Sequence, residues 1–354
     1  MKILVINPGS TSTKIAVYNN QEVLFETTIT HTAKQLSKFN RIMDQLDFRQ
    51  QIICSELKKH MIPLDFNAII ARGGLIKPIP GGVYHINEKM KLEVLTPMRH
   101  HASNLGCLIA SEIAKKQEIP CPAFIADPGV VDERQEIAKI SGLPSLPKIA
   151  ISHVLNQRAI GRQYAREQQV EYDSLNLIII HIGGGISIGV HQNGEIIDVN
   201  NALDGDGPFS PERAGTLPSG ALIDLCFSGK YTQEELKKKI AGQAGLLAYL
   251  NTTDLRTVLK RIEKGDTKAQ FIVEAMAYNI AKYIGAAATV LKGKIDAILL
   301  TGGMAYSEYV VDLIKERIAF LAPIAVYPGE KEMEALALNA LAVLNGRFEA
   351  KEYE

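Results

Sequence analysis

The chain has 354 residues, 46% of them hydrophobic and 22% charged, the make-up of a soluble globular protein of about two domains. Lys+Arg and Asp+Glu both number 39, so no net positive field draws nucleic acid or an anionic membrane to it. The apolar start, Ile3 to Ile6, is too short for a signal-peptide core, and no apolar run approaches a membrane span; a cytoplasmic protein is expected. Cys54, Cys107, Cys121 and Cys226 are scattered without a C-x-x-C pair, which points to free thiols rather than a zinc site or disulfides.

The first predicted element is a strand, Ile3 to Ile6, that runs into "NPGSTSTK" (Asn7 to Lys14) and resumes as a second strand. Gly9 permits the turn, and Ser10, Thr11, Ser12 and Thr13 supply hydroxyls beside exposed amides, with Lys14 as a cation. The stretch reads either as a phosphate-binding hairpin or as an ordinary polar β-turn. Short β-rich runs ending at glycine follow among helix-like stretches: "AIIARGG" (Ala68 to Gly74), "AFIADPG" (Ala123 to Gly129) and "AILLTGG" (Ala297 to Gly303). That alternation predicts α/β layers. The Pro-rich "SGLPSLPKIAIS" at 141–152 predicts a domain boundary, giving a first domain of 1–148 completed by 331–354 and a second of 149–330.

About 173 residues after the first hairpin, "LIIIHIGGGISIGVHQNGEIIDV" (Leu177 to Val199) repeats its design of strand, glycine turn, strand, short turn, strand. Ile15, Val17, Asn20, Glu22 and Val23 fall opposite Ile188, Val190, Asn193, Glu195 and Ile196, so two copies of one domain account for the length. Near the end of the second copy, Phe271, Ala275, Ala277, Ile280, Ala281 and Ile284 predict the apolar stripe of a helix over 268–292.

Three familiar nucleotide motifs are absent. No G-x-x-x-x-G-K-[ST] occurs, "GGGISIG" (Gly183 to Gly189) has Ile188 where the Rossmann pattern needs glycine, and no H-R-D signature is present. What remains is a pair of glycine-tipped hairpins whose backbone amides can cradle phosphates without a Walker lysine.

Five motifs in order then carry a resemblance across nearly the whole chain: "NPGSTSTK", "HIGGGISI" (His181 to Ile188), "TTDLR" (Thr252 to Arg256), "LLTGGMAYS" (Leu299 to Ser307) and "PGEKEMEALA" (Pro328 to Ala337). The sequence resembles the acetate kinase family, part of the superfamily of acetate and sugar kinases, chaperone ATPases and actin. "RAGTLPSG" (Arg213 to Gly220) and "SHVLNQRA" (Ser152 to Ala159) are similar to the butyrate kinase branch. The resemblance implies two duplicated actin-like, ribonuclease H-like α/β domains with mixed sheets flanked by helices, an active site in the interdomain cleft, ATP/ADP and Mg²⁺ as cofactors, and a homodimer or larger assembly. It implies as reaction the reversible phosphorylation of a short-chain carboxylic acid to an acyl phosphate.

The site residues it implies are Arg72 and Arg213 on the carboxylate and the transferring phosphoryl, His153 at that phosphoryl, and His181 near the nucleotide phosphates. Asp127 and Asn7 are implied for Mg²⁺, with Glu332 contributing indirectly; Glu334 is close enough to be the alternative. Ser10, Ser12 and Lys14 of the first hairpin face the phosphates, and Gly183, Gly184 and Gly185 admit the β-phosphate to the second. Asp254, Leu255 and Arg256 fall at the adenosine, with Gly302 and Gly303 as a shelf for the nucleoside; Arg256 reads equally as a helix-surface cation after an Asp cap.

One of His100 and His101 corresponds to a family active-site histidine, and Gln157 stands where acetate kinases show another histidine, with no role assigned. Gly74 and Ser152 replace the usual Val and Phe of acetate kinases, which implies a larger acyl pocket and a three- to five-carbon acid; glycine at 74 for backbone reasons is the alternative.

The chemistry is consistent with this set. A carboxylic acid is ionised at neutral pH, so the acceptor is already a nucleophile and needs no general base. Catalysis then rests on cations and fixed donors that overcome repulsion between two anions, a task suited to the planar arginine fork. The competing readings are an acetate or propionate kinase, an actin-like ATPase module, and a sugar kinase, which would need a base for a neutral hydroxyl.

Overall fold

The computed structural model describes all 354 residues as two compact units, Met1–Asp132 with Lys331–Glu354, and Glu133–Glu330. No helix is long and apolar enough to cross a membrane.

The first unit is built on strands β1 (Lys2–Pro8), β2 (Ser12–Asn19), β3 (Glu22–Thr30), β4 (Ala68–Arg72), β5 (Val83–His85) and β6 (Ala123–Ala126), in the order β3-β2-β1-β4-β6-β5. β1 to β3 form an antiparallel meander, whereas β4 and β6 run parallel to β1. The central strands β1 and β4 are buried on both faces, so Ile3 to Ile6 and Ala68 to Ala71 are continuous apolar runs without alternation. Helix Leu105–Lys116 packs its Leu105, Ile109 and Ile113 side with Leu4, Ile6 and Ile69 in the core.

The second unit repeats this plan with β7 (Leu177–Ile182), β8 (Ile186–Gln192), β9 (Glu195–Val199), β10 (Ala297–Gly302) and β11 (Ile324–Pro328), in the order β11-β10-β7-β8-β9. The expected duplication is borne out in detail. The β2/β3 ladder shifts register between Val17 and Tyr18, and the β8/β9 ladder shifts between Val190 and His191, the corresponding pair. The turns that follow place Asn20 and Asn193 in the left-handed region, at φ 55° and 53°. Asparagine tolerates that conformation, which is why the same residue type marks both turns.

Two expectations change. The units divide at Asp132/Glu133, ahead of the Pro-rich stretch, because residues 133–148 are tied to the second unit. Glu133 pairs with Arg158 and accepts from the Ile196 amide, and the Gln135 amide donates to Ile197. The long helix, Thr267–Val290, buries Ile272, Val273, Met276, Ala277, Ile280, Ala281 and Ile284, while Phe271 is 67% exposed. Phe271 therefore lies off the stripe, one step out of phase with Ile272.

Candidate active site

In the first unit, the expected phosphate hairpin joins β1 to β2 through a turn closed by the Gly9 amide on Ser12 O at 2.8 Å. Ser10 and Lys14 are exposed and Ser12 is half-buried, and Asn7 sits opposite Lys14 in the ladder. The loop is braced from behind by a residue that sequence reasoning missed. Arg49, buried in helix Leu46–Lys59, donates to Gly9 O at 2.8 Å, Ser12 O at 3.1 Å and Thr13 Oγ1 at 3.1 Å through Nη1, and to Ser10 O at 3.1 Å through Nη2. Gln45 holds the opposite edge of the guanidinium at 2.9 and 3.0 Å. Burial lowers the Arg49 pKa to about 10, so it stays a cation at neutral pH.

Three other predicted residues meet at the ends of β1 and β4. Glu332, the first residue of helix Glu332–Leu344, is buried, and its Oε2 accepts from Arg72 Nη1 at 3.0 Å and Asn7 Nδ2 at 2.8 Å. Its carboxylate thus anchors Arg72 and turns the Asn7 amide so that its nitrogen faces Glu332 and its oxygen faces away. Glu334, the alternative, is exposed and lies 3.7 Å from Lys331. Asp127 follows β6, buried, with φ +40°, and its Oδ1 accepts from the Gly82 amide at 2.9 Å. A non-glycine residue held at positive φ stores roughly 1–3 kcal/mol of strain, and such strain clusters at functional positions.

Gly74 does not face open space. A Cβ there would meet Asn104 Cα and Oδ1, each at 2.8 Å, and Asn104 Oδ1 also accepts from the Leu75 amide at 2.8 Å. The missing side chain of Gly74 accommodates Asn104, which favours the backbone alternative over an enlarged acyl pocket. His101 caps the short turn Ala102–Asn104, its Nδ1 accepting from the Ser103 amide at 3.2 Å, while His100 is exposed.

In the second unit, Gly183 to Gly185 form the tip between β7 and β8, closed by the Gly183 amide on Gly185 O at 3.1 Å. Arg213 lies against this tip, because a Cβ on Gly185 would stand 1.9 Å from Arg213 Nη1. The same Nη1 donates to Ala202 O at 2.7 Å, and Ser210 links the parts by donating to Gly184 O at 2.5 Å while accepting from the Arg213 amide at 3.2 Å. Gly185 thus makes room for a guanidinium, a close approach the sequence assigned to the β-phosphate alone.

His153, just before helix Val154–Gln168, stacks on His181 of β7 with centroids 3.8 Å apart and planes at 6°. His181 Nδ1 lies 3.0 Å from Asn156 Nδ2, and its Nε2 lies 3.5 Å from Glu330 Oε1. Ser152 is buried, and its Oγ has no hydrogen-bond partner. Gly302 pairs with Gly329 through both backbone bonds at the end of β10, and Gly303 opens the turn that follows.

The "TTDLR" motif is otherwise engaged. Asp254 caps helix Leu255–Glu263, accepting from the Arg256 amide and Nε at 3.1 Å, and the Arg256 side chain is 88% exposed. The Arg256 interaction chiefly holds the Asp254 carboxyl below its ordinary pKa. Leu255 packs its side chain into the core. Arg256 has the helix-surface geometry that the sequence left open.

The comparisons with known proteins agree with this architecture. The acetokinase family model matches residues 153–329. A protein of Bacteroides thetaiotaomicron described as "Probable butyrate kinase" is 61% identical over 355 residues, covering 100% of both chains. "Butyrate kinase 1" of Clostridium acetobutylicum is 50% identical, covering 100% of this chain and 99% of its own. Among solved structures, Porphyromonas gingivalis acetate kinase superposes with a TM-score of 0.79 over 97% of this chain and 99% of its own at 18% identity, a likeness of fold. With full-length identity of this degree behind the duplicated fold, the chain belongs to the acetokinase family.

Proposed function

We propose that the chain catalyses the reversible reaction butanoate + ATP = butanoyl phosphate + ADP, by direct in-line transfer of the γ-phosphoryl to the carboxylate. The observation that carries this reading is the 61% identity, over the full length of both chains, to a relative described as a butyrate kinase. Arg72 and Arg213 then neutralise the acceptor and the transferring group, and His153 donates to a phosphoryl oxygen. No general base is required, since the acceptor is ionised at neutral pH.

The nucleotide phosphates fall to the second hairpin with His181, and to Ser10, Ser12 and Lys14 of the first. Asn7 Oδ1 and the Asp127 carboxylate are hard oxygen donors of the kind Mg²⁺ takes alongside waters and phosphate oxygens. Bound Mg²⁺ would supply charge neutralisation on the phosphates. Glu332 acts through Asn7 and Arg72, which it holds. The buried, unpartnered Ser152 hydroxyl is a donor suited to the acceptor side.

Steady-state assay of acyl phosphate formation with ATP and Mg²⁺ across acetate, propionate, butyrate, isobutyrate and isovalerate tests the reading. Butyrate should give the highest kcat/KM. A preference for acetate, or ATP turnover that no carboxylate stimulates, would replace it with another acid kinase or with an ATPase.

A further inference from the structure

Behind the stacked histidines the second unit holds a continuous line of polar groups, Tyr172, His191, Gln157, Ser187, His153, part-buried at its two ends and fully buried between them. Gln157, Ser187 and His191 are fully buried, so each hydrogen bond must be made within the line or its immediate backbone. Gln157 is the residue for which the sequence offered no role.

Valence fixes the direction of every bond. Gln157 Nε2 lies 3.3 Å from the Ser187 carbonyl, which can only accept, so the amide nitrogen faces Ser187 and Oε1 faces away. His191 Nε2 stands 3.3 Å from that Oε1 and must carry a proton. Burial chiefly, and then the Arg158 charge, depresses the His191 pKa to about 3, so the ring is neutral and its Nδ1 accepts from the Tyr172 hydroxyl at 2.6 Å.

On the other side, Ser187 Oγ accepts from Gln157 Nε2 at 3.0 Å and from the His153 amide at 3.3 Å, which uses both lone pairs. Its own O–H is left to donate to His153 Nδ1 at 2.9 Å. Nδ1 is thereby an acceptor and the ring proton sits on Nε2. Gly189 belongs to the same arrangement, since a Cβ there would stand 2.3 Å from Gln157 Oε1.

We propose that Gln157 and Ser187 are positioning residues for the phosphoryl transfer: they hold His153 in the Nε2–H form, so that it presents a donor to a phosphoryl oxygen. The proposal rests on the role given to His153 above. A histidine free to exchange tautomers would present a lone pair to an anion part of the time. The hydroxyl and amide behind it exclude that form without touching substrate, and the line of donors from Tyr172 to Ser187 points one way.

Long-range proton–nitrogen correlation spectra of the ¹⁵N-histidine-labelled protein read the tautomer directly, with His153→Gln assigning the resonance. Wild type should show a bare Nδ1 and a protonated Nε2 at His153. Ser187→Ala should give a mixture of tautomers and roughly a tenfold fall in kcat, the worth of about one hydrogen bond, with KM for ATP and butyrate nearly unchanged. Gln157→Met should move both readouts the same way, and Ser187→Thr, which keeps the hydroxyl, should restore them. A protonated Nδ1 in wild type, or an unaltered tautomer in Ser187→Ala, would overturn the relay. A tautomer that shifts while kcat stays put would instead overturn the role of His153, so the two failures are distinguishable.

Discussion

The β1–β2 and β7–β8 hairpins descend from one plan yet are stiffened in different ways. Both end in a turn closed by a glycine amide on a nearby carbonyl, and both lead into ladders with a shift at the matching residue. The first is held from behind by one buried cation, Arg49, whose partners are loop carbonyls and the Thr13 hydroxyl. The second has a guanidinium, Arg213, lying against its glycines, and uncharged histidine, glutamine and serine side chains behind it. A duplicated backbone therefore constrains where a loop stands, while the side chains that brace it decide what the loop can contact.

The comparison is broken most severely at Arg213. Arg213→Ala should lower kcat about 10²- to 10³-fold, the usual loss when one donor to developing charge is removed, with the melting temperature retained. Gly185→Ala should act in the same direction with a smaller loss, because its methyl would displace the guanidinium. Normal turnover in both variants would show that this contact is purely structural.

Next in size is Arg49→Met. It strips donors from several part-buried carbonyls at once, so urea unfolding should report a loss of about 3 kcal/mol, and KM for ATP should rise with it. An unchanged unfolding midpoint would mean that the Gly9–Ser12 turn supports the loop alone.

Gly74→Val tests whether the first unit reads chain length at this position. The new side chain would collide with the Asn104 backbone, so a stability loss of about 1–3 kcal/mol is expected, with the butyrate-to-acetate ratio of kcat/KM unchanged. A ratio that falls in a stable variant would restore the pocket-filling reading.

The smallest effect concerns acid. His31 sits behind the first hairpin, its Nε2 2.9 Å from Thr13 Oγ1, and burial followed by the Arg49 charge lowers its pKa to about 4 from 6.5. The unfolded chain therefore takes up this proton first. Stability is fully present above pH 6.5 and is lost as pH falls toward 4. His31→Gln should flatten that limb in thermal melts taken across the window. An equally steep limb would place the acid sensitivity elsewhere, with His191 behind the second hairpin as the next residue to test.

Part of this architecture is legible in the sequence, and the reason differs between residues. Asn20 and Asn193 announce their turns because a left-handed residue restricts side-chain choice locally. Ser187 could have been found from the hairpin alone, since antiparallel register across the three-glycine tip sets it opposite His181. Arg49 carried no such signal: it lies in an otherwise ordinary polar helix, and most of the loop atoms it holds are backbone carbonyls some 40 positions away. Phe271 reads as part of the stripe because it is apolar and stands next to Ile272, and only packing against β8 and its neighbours decides which of the two faces inward.

The duplication, the α/β alternation, the glycine-tipped hairpins and the family are legible along the chain, because they depend on residue types at fixed local spacing. Long-range packing sets the rest: Glu332 anchors Arg72 and Asn7, Gly74 yields its space to Asn104, and Gly185 yields its own to Arg213. It also sets Gln157 and Ser187 behind His153. Each of these is a contact between residues distant in the chain, and its existence depends on how close two backbones approach. No local pattern encodes that distance, since it is set by the summed packing of every layer between them.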